Sequence, residues 1–377
     1  MNSNTNISYS SGLVNGDDWE KILPKLPDQH FLQSNLWAEI KMDNGWSPSY
    51  LIWKNEIGNI VAGAMILERK ITFLKIFSLI IHYCPKGPLL NWEGEQLVQC
   101  VLNDIEQFSK QRNAIFLKID PDVFICDKVS DQFVLNNELI KNNDHVLAIL
   151  KNRNWIASKE QIQFRNSIYL SLEESEDQML KNMKQKTRYN IRLSERKGVV
   201  VRIGNSNDFE KLYQLYVETA LRDNFVIREN AYYSKVWNKF YANDYCEPFI
   251  AEYEGEILAA IIIYYFSSKA YYVYGMSSEK NRNLMATYLL QWKAIQRAKE
   301  RGCNIYDFWG APEELNESDR MWGVYKFKLG FGGNLIMTIG ARDFRNKSFG
   351  YYLYQIVLPK ILDIMRKFGF LRLKSEV

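Results

Sequence analysis

Histidine is scarce in this chain: its 377 residues carry three, His30, His82 and His145. None stands beside a serine or cysteine in a nucleophile elbow, and none has the Cys/His spacing of a metal site, which argues against a covalent triad and a zinc enzyme. Cysteine is sparse too. The five present (Cys84, Cys100, Cys126, Cys246, Cys303) are an odd and scattered set, the pattern of free thiols in a reducing compartment. Long apolar runs are missing. The longest, Ile71 to Cys84, is interrupted by Lys75 and too short to cross a bilayer, so it reads as a buried strand pair. Met1 to Gly12 is polar and lacks the basic start and apolar run of a signal peptide. There is little excess charge, and a net +4 demands no polyanionic partner by itself. These absences predict a soluble, cytoplasmic protein. What is present is a globular composition, 47% hydrophobic and 14% aromatic, in a chain long enough for two or three domains.

The most informative stretch runs from Tyr271 to Gly310: an aromatic strand, a loop, an amphipathic helix and a strand that stops at a glycine. That order suggests an acyl-transferring α/β domain. The loop Glu279-Lys-Asn-Arg-Asn-Leu-Met-Ala286, however, has no glycine that would let backbone amides wrap a pyrophosphate, which argues against coenzyme A as donor. In the helix from Leu284 to Arg301, Ala286, Leu289, Leu290, Ile295 and Ala298 share one face, and Gly302 stands where a helix end wants a positive φ.

The same order occurs earlier. Asn55-Glu-Ile-Gly58 is followed by apolar strand material to Pro85-Lys-Gly-Pro-Leu-Leu90, a helix from Glu95 to Gln111, and a strand ending at Pro121. Glu254-Gly255, Ala270 to Gly275 and the helix and strand after them repeat it. Two such units predict a duplicated α/β (α+β) fold, with the boundary between them near residues 160–166. The polar stretch Asp127 to Asn154 reads as a connection or peripheral helix, and Tyr351 to Phe368 as a helix kinked or restarted at Pro359.

Gln178 to Arg196 has helical periodicity. Leu180, Met183, Thr187, Ile191 and Ser194 form one stripe, and Lys181, Lys184, Arg188, Arg192 and Arg196 form a cationic second one. Like charges one turn apart cost a few tenths of a kcal/mol each. Either acids elsewhere in the fold relieve that cost, or an anionic partner such as a nucleic-acid backbone does.

Other residues are individually bland. Ser34 caps a short helix that ends near Lys41, and Arg222 and Asp223 close another. Strand alternation places Tyr272 and Tyr274 on one face, as packing or as a substrate platform. The same alternation, applied to Tyr325-Lys-Phe-Lys-Leu329, puts Lys326 and Lys328 together; a lysine near an acyl-transfer centre can stabilise an oxyanion.

Taken together, the chain resembles the Fem family (FemA, FemB and FemX types) of non-ribosomal peptidyltransferases that build peptidoglycan cross-bridges. The resemblance rests on an ordered set of short matches from about residue 30 to the C-terminus. These are Phe31-Leu-Gln-Ser34 with Trp37 and Lys41, Tyr83-Cys-Pro-Lys-Gly-Pro88, Lys118-Ile-Asp-Pro121 and Gln163-Phe-Arg-Asn166. Met183-Lys184, Arg188-Tyr-Asn-Ile-Arg192, Gly198-Val199, Thr219-Ala220 and Arg222-Asp223 follow. The last are Gly275-Met-Ser-Ser278, Arg282-Asn283, Tyr306-Asp-Phe-Trp-Gly310, Phe327-Lys328, Phe331-Gly332 and Ile339-Gly340.

The resemblance implies two acetyltransferase-like (GNAT) domains, with the C-terminal helix returning to the first, so that the domains are 1–163 plus 340–377 and 164–339. It implies an aminoacyl-tRNA donor, no cofactor, and a UDP-MurNAc-pentapeptide or lipid-linked acceptor, with room for peripheral contact with the inner membrane face by a monomer. By motif position Lys41 and Arg222 would hold the acceptor's phosphates, and Tyr272 and Tyr274 would line its channel. Lys328, with Phe327, would sit at the transfer centre. Lys181, Lys184, Arg188, Arg192 and Arg196 would face the tRNA. Phe225 to Phe249 is too short for the coiled-coil arm of the FemA and FemB types, so the chain is closer to the compact FemX type. Position 225 is a phenylalanine, so no acceptor-binding tyrosine is carried over to it.

The donor ester of such a reaction is already activated, so neither ATP nor a metal is needed. Positioning and oxyanion stabilisation would supply most of the catalysis, with Lys328 as the stabilising charge and Asp120 as a candidate for orienting the attacking amine. An acyl-CoA-dependent N-acyltransferase and a non-catalytic RNA-binding or immunity protein are the rival readings.

Overall fold

The computed structural model describes residues 8–73, 77–125 and 144–355, and divides the chain into two compact units. Unit 1 comprises residues up to Asn166 together with Met337–Ile356, and unit 2 comprises Ser167–Ile336.

Unit 1 opens with β1 (Ser10–Val14), α1 (Gly16–Ile22) and α2 (Asn35–Met42). Strands β2 (Trp46–Lys54), β3 (Ile60–Phe73), β4 (Phe77–Cys84) and β5 (Leu89–Leu90) follow. Then come α3 (Glu95–Gln111), β6 (Phe116–Ile119), α4 (Asp144–Asn152) and β7 (Trp155–Ala157). Unit 2 contains β8 (Asn166–Ser171), α5 (Glu176–Asn182), α6 (Gln185–Arg196), β9 (Val200–Ile203), α7 (Phe209–Arg222) and α8 (Asn230–Ala242). It continues with β10 (Cys246–Tyr253), β11 (Glu256–Phe266), β12 (Lys269–Ser277), α9 (Ala286–Glu300), β13 (Ile305–Asp307), α10 (Trp322–Leu329) and β14 (Asn334–Met337). The chain then re-enters unit 1 as β15 (Arg342–Arg345).

Each unit is built on one sheet. In unit 1 the order is β1-β2-β3-β4-β6-β15-β7, with β5 on β3; in unit 2 it is β14-β8-β13-β12-β11-β10-β9. Both sheets contain an antiparallel meander followed by one parallel pair, β4/β6 and β12/β13, and each pair is bridged by an amphipathic helix, α3 or α9. A parallel pair needs such a crossover, so the strand–helix–strand repeat visible in the sequence is the same structural unit used twice. At the end of α9, Gly302 takes φ +79, its N–H reaches Lys299 O and that of Cys303 reaches Ala298 O, which satisfies the last carbonyls of the helix.

The core of unit 1 lies between the sheet and α3, where Trp53, Leu97, Val101, Leu117 and Ile119 pack together. Its other face carries Leu79, Ile81 and Phe116, covered by Tyr351 from a helical segment over 348–355; the Phe116 and Tyr351 rings meet edge-on at 5.5 Å. The C-terminal helix thus begins against unit 1, while Pro359 and the rest of that expected helix lie outside the described residues, as do Cys126 and most of the polar stretch after it. The other four cysteines are free thiols. Among the described residues no helix is long and apolar enough to cross a membrane, and no group of three or more His, Cys, Asp or Glu is placed to hold a metal.

Three local expectations are corrected. Residues 325–329 are helical in α10, not a strand. The turn before them decides it: Asp319 Oδ1 accepts from Met321 N–H at 2.7 Å and Asp319 O from Trp322 N–H at 2.9 Å, which starts a helix just upstream. The basic stretch is two helices, not one. Met183 and Lys184 are extended, and Lys184 N–H leaves the helical ladder to reach Gly330 O at 2.9 Å. Finally, Tyr272 and Tyr274 do not share a face. A bulge at Val273 sets Tyr272 opposite Ile263 and Tyr274 opposite Ile262, and neighbouring partners point to opposite sides.

Candidate active site

The expected site residues fall into three groups, two in unit 2 and one in unit 1. A cavity of about 670 Å³ lies in unit 2 where β12 ends and α9 begins, within the volume range usual for small-ligand sites. Arg222, Tyr272, Ser277, Arg282, Tyr288 and Phe327 contribute to its wall. The glycine-free loop before α9 still takes left-handed turns, at Asn281 (φ 52) and Met285 (φ 56), and α9 has no side-chain cap. Tyr272 turns into this space because Gly275 leaves room: a Cβ there would lie 2.0 Å from the Tyr272 hydroxyl. Burial pushes the Tyr272 phenol up to about 12. Its former companion Tyr274, half-buried, packs instead against Tyr216, Tyr233 and Trp237 of α7 and α8.

Arg222 closes α7 at the rim of the cavity. It donates to Ser277 O at 2.6 Å, binds Asp223 through two nitrogens at 2.8 and 2.9 Å, and lies 3.2 Å from Glu279. Its hydrogen bonds to Asp223 hold the guanidinium pKa above its usual value.

Lys328 is buried behind Tyr272, with Nζ 5.7 Å from the ring centroid, and its neighbour Phe327 faces the cavity against Tyr288. The ammonium donates to Trp309 O at 2.8 Å and Gly310 O at 2.7 Å. Burial lowers its pKa to about 7, opposed by the nearby Asp307 carboxylate. Such a lysine can be switched between proton donor and proton acceptor near neutral pH.

On α5 and α6 the cations separate into two kinds. Lys181, Lys184, Arg192 and Arg196 are exposed, as are Lys186 and Lys197. Arg188 is half-buried and turns back into the break between the helices, donating to Leu180 O at 3.4 Å, Lys181 O at 3.0 Å and Met183 O. It serves the local fold, which the helical spacing could not show.

In unit 1, Lys41 ends α2 with Nζ 4.4 Å over the Trp37 ring. Asp120 follows β6, buried, and accepts from the Tyr83 hydroxyl at 2.7 Å and from Lys86 N–H at 2.6 Å. Burial pushes its pKa up to about 6 against the pull of Lys86, and Lys86 itself pairs with Asp122 at 2.8 Å. Sequence reasoning assigned no role to Asp307 or to the Trp309 and Gly310 carbonyls, although Tyr306-Asp-Phe-Trp-Gly310 was one of the matching runs.

The family model described as the FemAB family matches residues 17–252 and 242–358. The chain is 22% identical over 396 residues to the lipid II:glycine glycyltransferase of Staphylococcus epidermidis, covering 89% of this chain and 92% of that protein. It is 21% identical over 414 residues to the protein of the same name from Staphylococcus aureus (strain MRSA252), covering 92% and 96%. Among solved structures, FemX superposes with a TM-score of 0.79 at 19% identity, over 92% of this chain and 99% of that one. A tandem GNAT protein from the clavulanic acid biosynthesis pathway gives 0.54 at 7% identity, over 90% and 99%. The fold is therefore a tandem of acetyltransferase-like units.

Proposed function

Since this chain belongs to the FemAB family, we propose that it is an aminoacyltransferase of peptidoglycan bridge formation, moving an amino acid from aminoacyl-tRNA to a side-chain amine of a stem peptide. The observation that carries the reading is Lys328: a buried ammonium held by two carbonyls beside a cavity at the end of β12. The matching glycyltransferases, named for lipid II as well as glycine, support a peptidoglycan precursor as acceptor.

In the proposed reaction the neutral amine attacks the ester carbonyl of the donor. A C–N bond forms, the carbonyl oxygen takes the negative charge, and the ester C–O bond then breaks. The amine's proton ends on the departing ribose oxygen. Lys328 offsets the oxyanion charge, an effect of about 3–4 kcal/mol for one well-placed donor. Phe327 and Tyr272 would enclose the reacting ester. Lys41 and Arg222 would take the acceptor's phosphates, with Arg222 exchanging Asp223 or Glu279 for them. Tyr274, half-buried against Tyr233 and Trp237, is assigned no part in the proposed channel. Lys181, Lys184, Arg192 and Arg196 would meet the tRNA backbone, where phosphate contacts give affinity without sequence readout. A lipid-linked acceptor would bring the protein, as a monomer, to the inner membrane face. No cofactor enters.

The test is incubation with charged tRNA and either UDP-MurNAc-pentapeptide or its lipid-linked form, followed by mass spectrometry. A gain of one amino-acid residue on the stem peptide is expected. Acetylation from acetyl-CoA, with no gain from any charged tRNA, would overturn the proposal.

A further inference from the structure

The proposed use of Lys328 leaves open what keeps it charged in a buried site. Its two acceptor carbonyls face it because the chain reverses directly after β13: Trp309 has φ +52 and Gly310 has φ +91. That conformation is uncommon for a tryptophan and persists only where the surroundings impose it. Asp307 imposes it. Its Oδ1 accepts from Trp309 N–H at 2.8 Å and from the Ser167 hydroxyl, while Phe308, fully buried, is pinned by its N–H to Ile168 O at 2.9 Å.

The two carbonyls account for two positions on the lysine nitrogen. The third is an N–H in the ammonium and a lone pair in the amine. These forms have opposite chemistry, since one donates to an oxyanion and the other takes up a proton. Burial favours the amine, and the Asp307 carboxylate favours the ammonium. The packed elements also carry Tyr272 and Tyr274 of β12, Tyr306 of β13 and Tyr325 of α10, phenols with pKa values raised by burial and so neutral near pH 7, together with Tyr271 and Lys269 of β12 and Tyr169 of β8. Lys326, one turn-half away on α10, is exposed and lies 3.3 Å from Glu317.

We propose that Asp307 is a positioning residue for the transfer reaction, building the Trp309–Gly310 carbonyl turn and holding Lys328 in its charged, hydrogen-bond-donating form. The inference rests on the role given to Lys328 above.

Asp307→Asn removes the charge and keeps an acceptor for Trp309 N–H. In full-length protein labelled at lysine, the Lys328 resonance is identified by its loss in Lys328→Met and titrated by NMR. The expected midpoint in Asp307→Asn is lower by roughly one unit, the low end of the effect of an opposite charge. In the transfer assay the alkaline limb of kcat should move down equally, with both KM values unchanged, while Asp307→Glu keeps the wild-type limb. An unchanged Lys328 midpoint overturns the inference whatever the activity. A shifted midpoint with an unmoved kcat limb instead overturns the role given to Lys328 in transfer, and with it the catalytic half of the inference. Should Asp307→Asn fail to fold, the double variant with Lys328→Met should fold better, because it no longer buries an uncompensated charge. A double variant no better folded overturns the pairing.

Discussion

Arg188→Ala separates two roles that a cationic helix face can combine. Arg188 sits among the cations of α6, yet its guanidinium donates to carbonyls left over at the break after α5. Hydrogen bonds from a charged donor contribute about 1.5–3 kcal/mol, and the lower end applies here because the group is only half-buried. With some of the carbonyls re-solvated by water in the variant, the expected loss is about 2 kcal/mol. For a unit of this size that corresponds to a melting point lower by roughly 4–8 °C. Arg192, exposed one turn on, should behave differently: Arg192→Ala should melt like the wild type and reduce the slope of log affinity for tRNA against log salt by about one. Calorimetry and filter binding over a salt series measure both quantities on the same preparations. If Arg188→Ala melts normally and loses salt dependence as Arg192→Ala does, the guanidinium faces the RNA and the capping argument is wrong.

Asp120→Asn should flatten the acid side of the stability curve. The folded-state pKa, about 6, lies above the carboxylate's ordinary value, so the native state binds the extra proton and wild-type stability falls as pH rises between those values. Parallel curves for wild type and variant would rule that out. Lys328→Met should lower kcat by roughly 10²-fold or more with little change in KM. The folded-state pKa of Lys328 is lowered, so wild-type stability should rise with pH from about 7 towards the ordinary lysine value, a rise absent in the variant and readable by denaturant titration. Gly275→Ala should force the Tyr272 hydroxyl aside, destabilise by about 1–3 kcal/mol and slow transfer. Adding Tyr272→Phe should recover part of the stability, and a Gly275→Ala protein with wild-type melting and rate would show that the ring accommodates the methyl.

Much of the fold is legible because it rests on local periodicity. Helix α3 spans the residues expected of it, and α9 begins two residues inside its expected start, since both carry an apolar stripe of helical period and both feed a strand. The misread segments are short and their local signals conflict. Tyr325-Lys-Phe-Lys-Leu329 alternates like a strand, but a turn hydrogen-bonded to Asp319 sets its backbone first. Lys184 interrupts a helical pattern because Gly330, remote in sequence, supplies an acceptor. Tyr272 and Tyr274 fall on opposite faces through a single inserted residue that strand alternation cannot reveal.

Along the chain alone one can read that it holds two copies of one strand–helix–strand unit and that its cations concentrate between Lys181 and Arg196. Those features follow from spacing along the chain. Tertiary structure alone decided which tyrosine meets the cavity, that Arg188 is turned inward, and that Lys328 lies buried between two carbonyls with Asp307 opposing the cost of its burial. Charge state and direction depend on what surrounds a side chain in space, and those surroundings come from β8, β12, β13 and α10, which are distant in sequence.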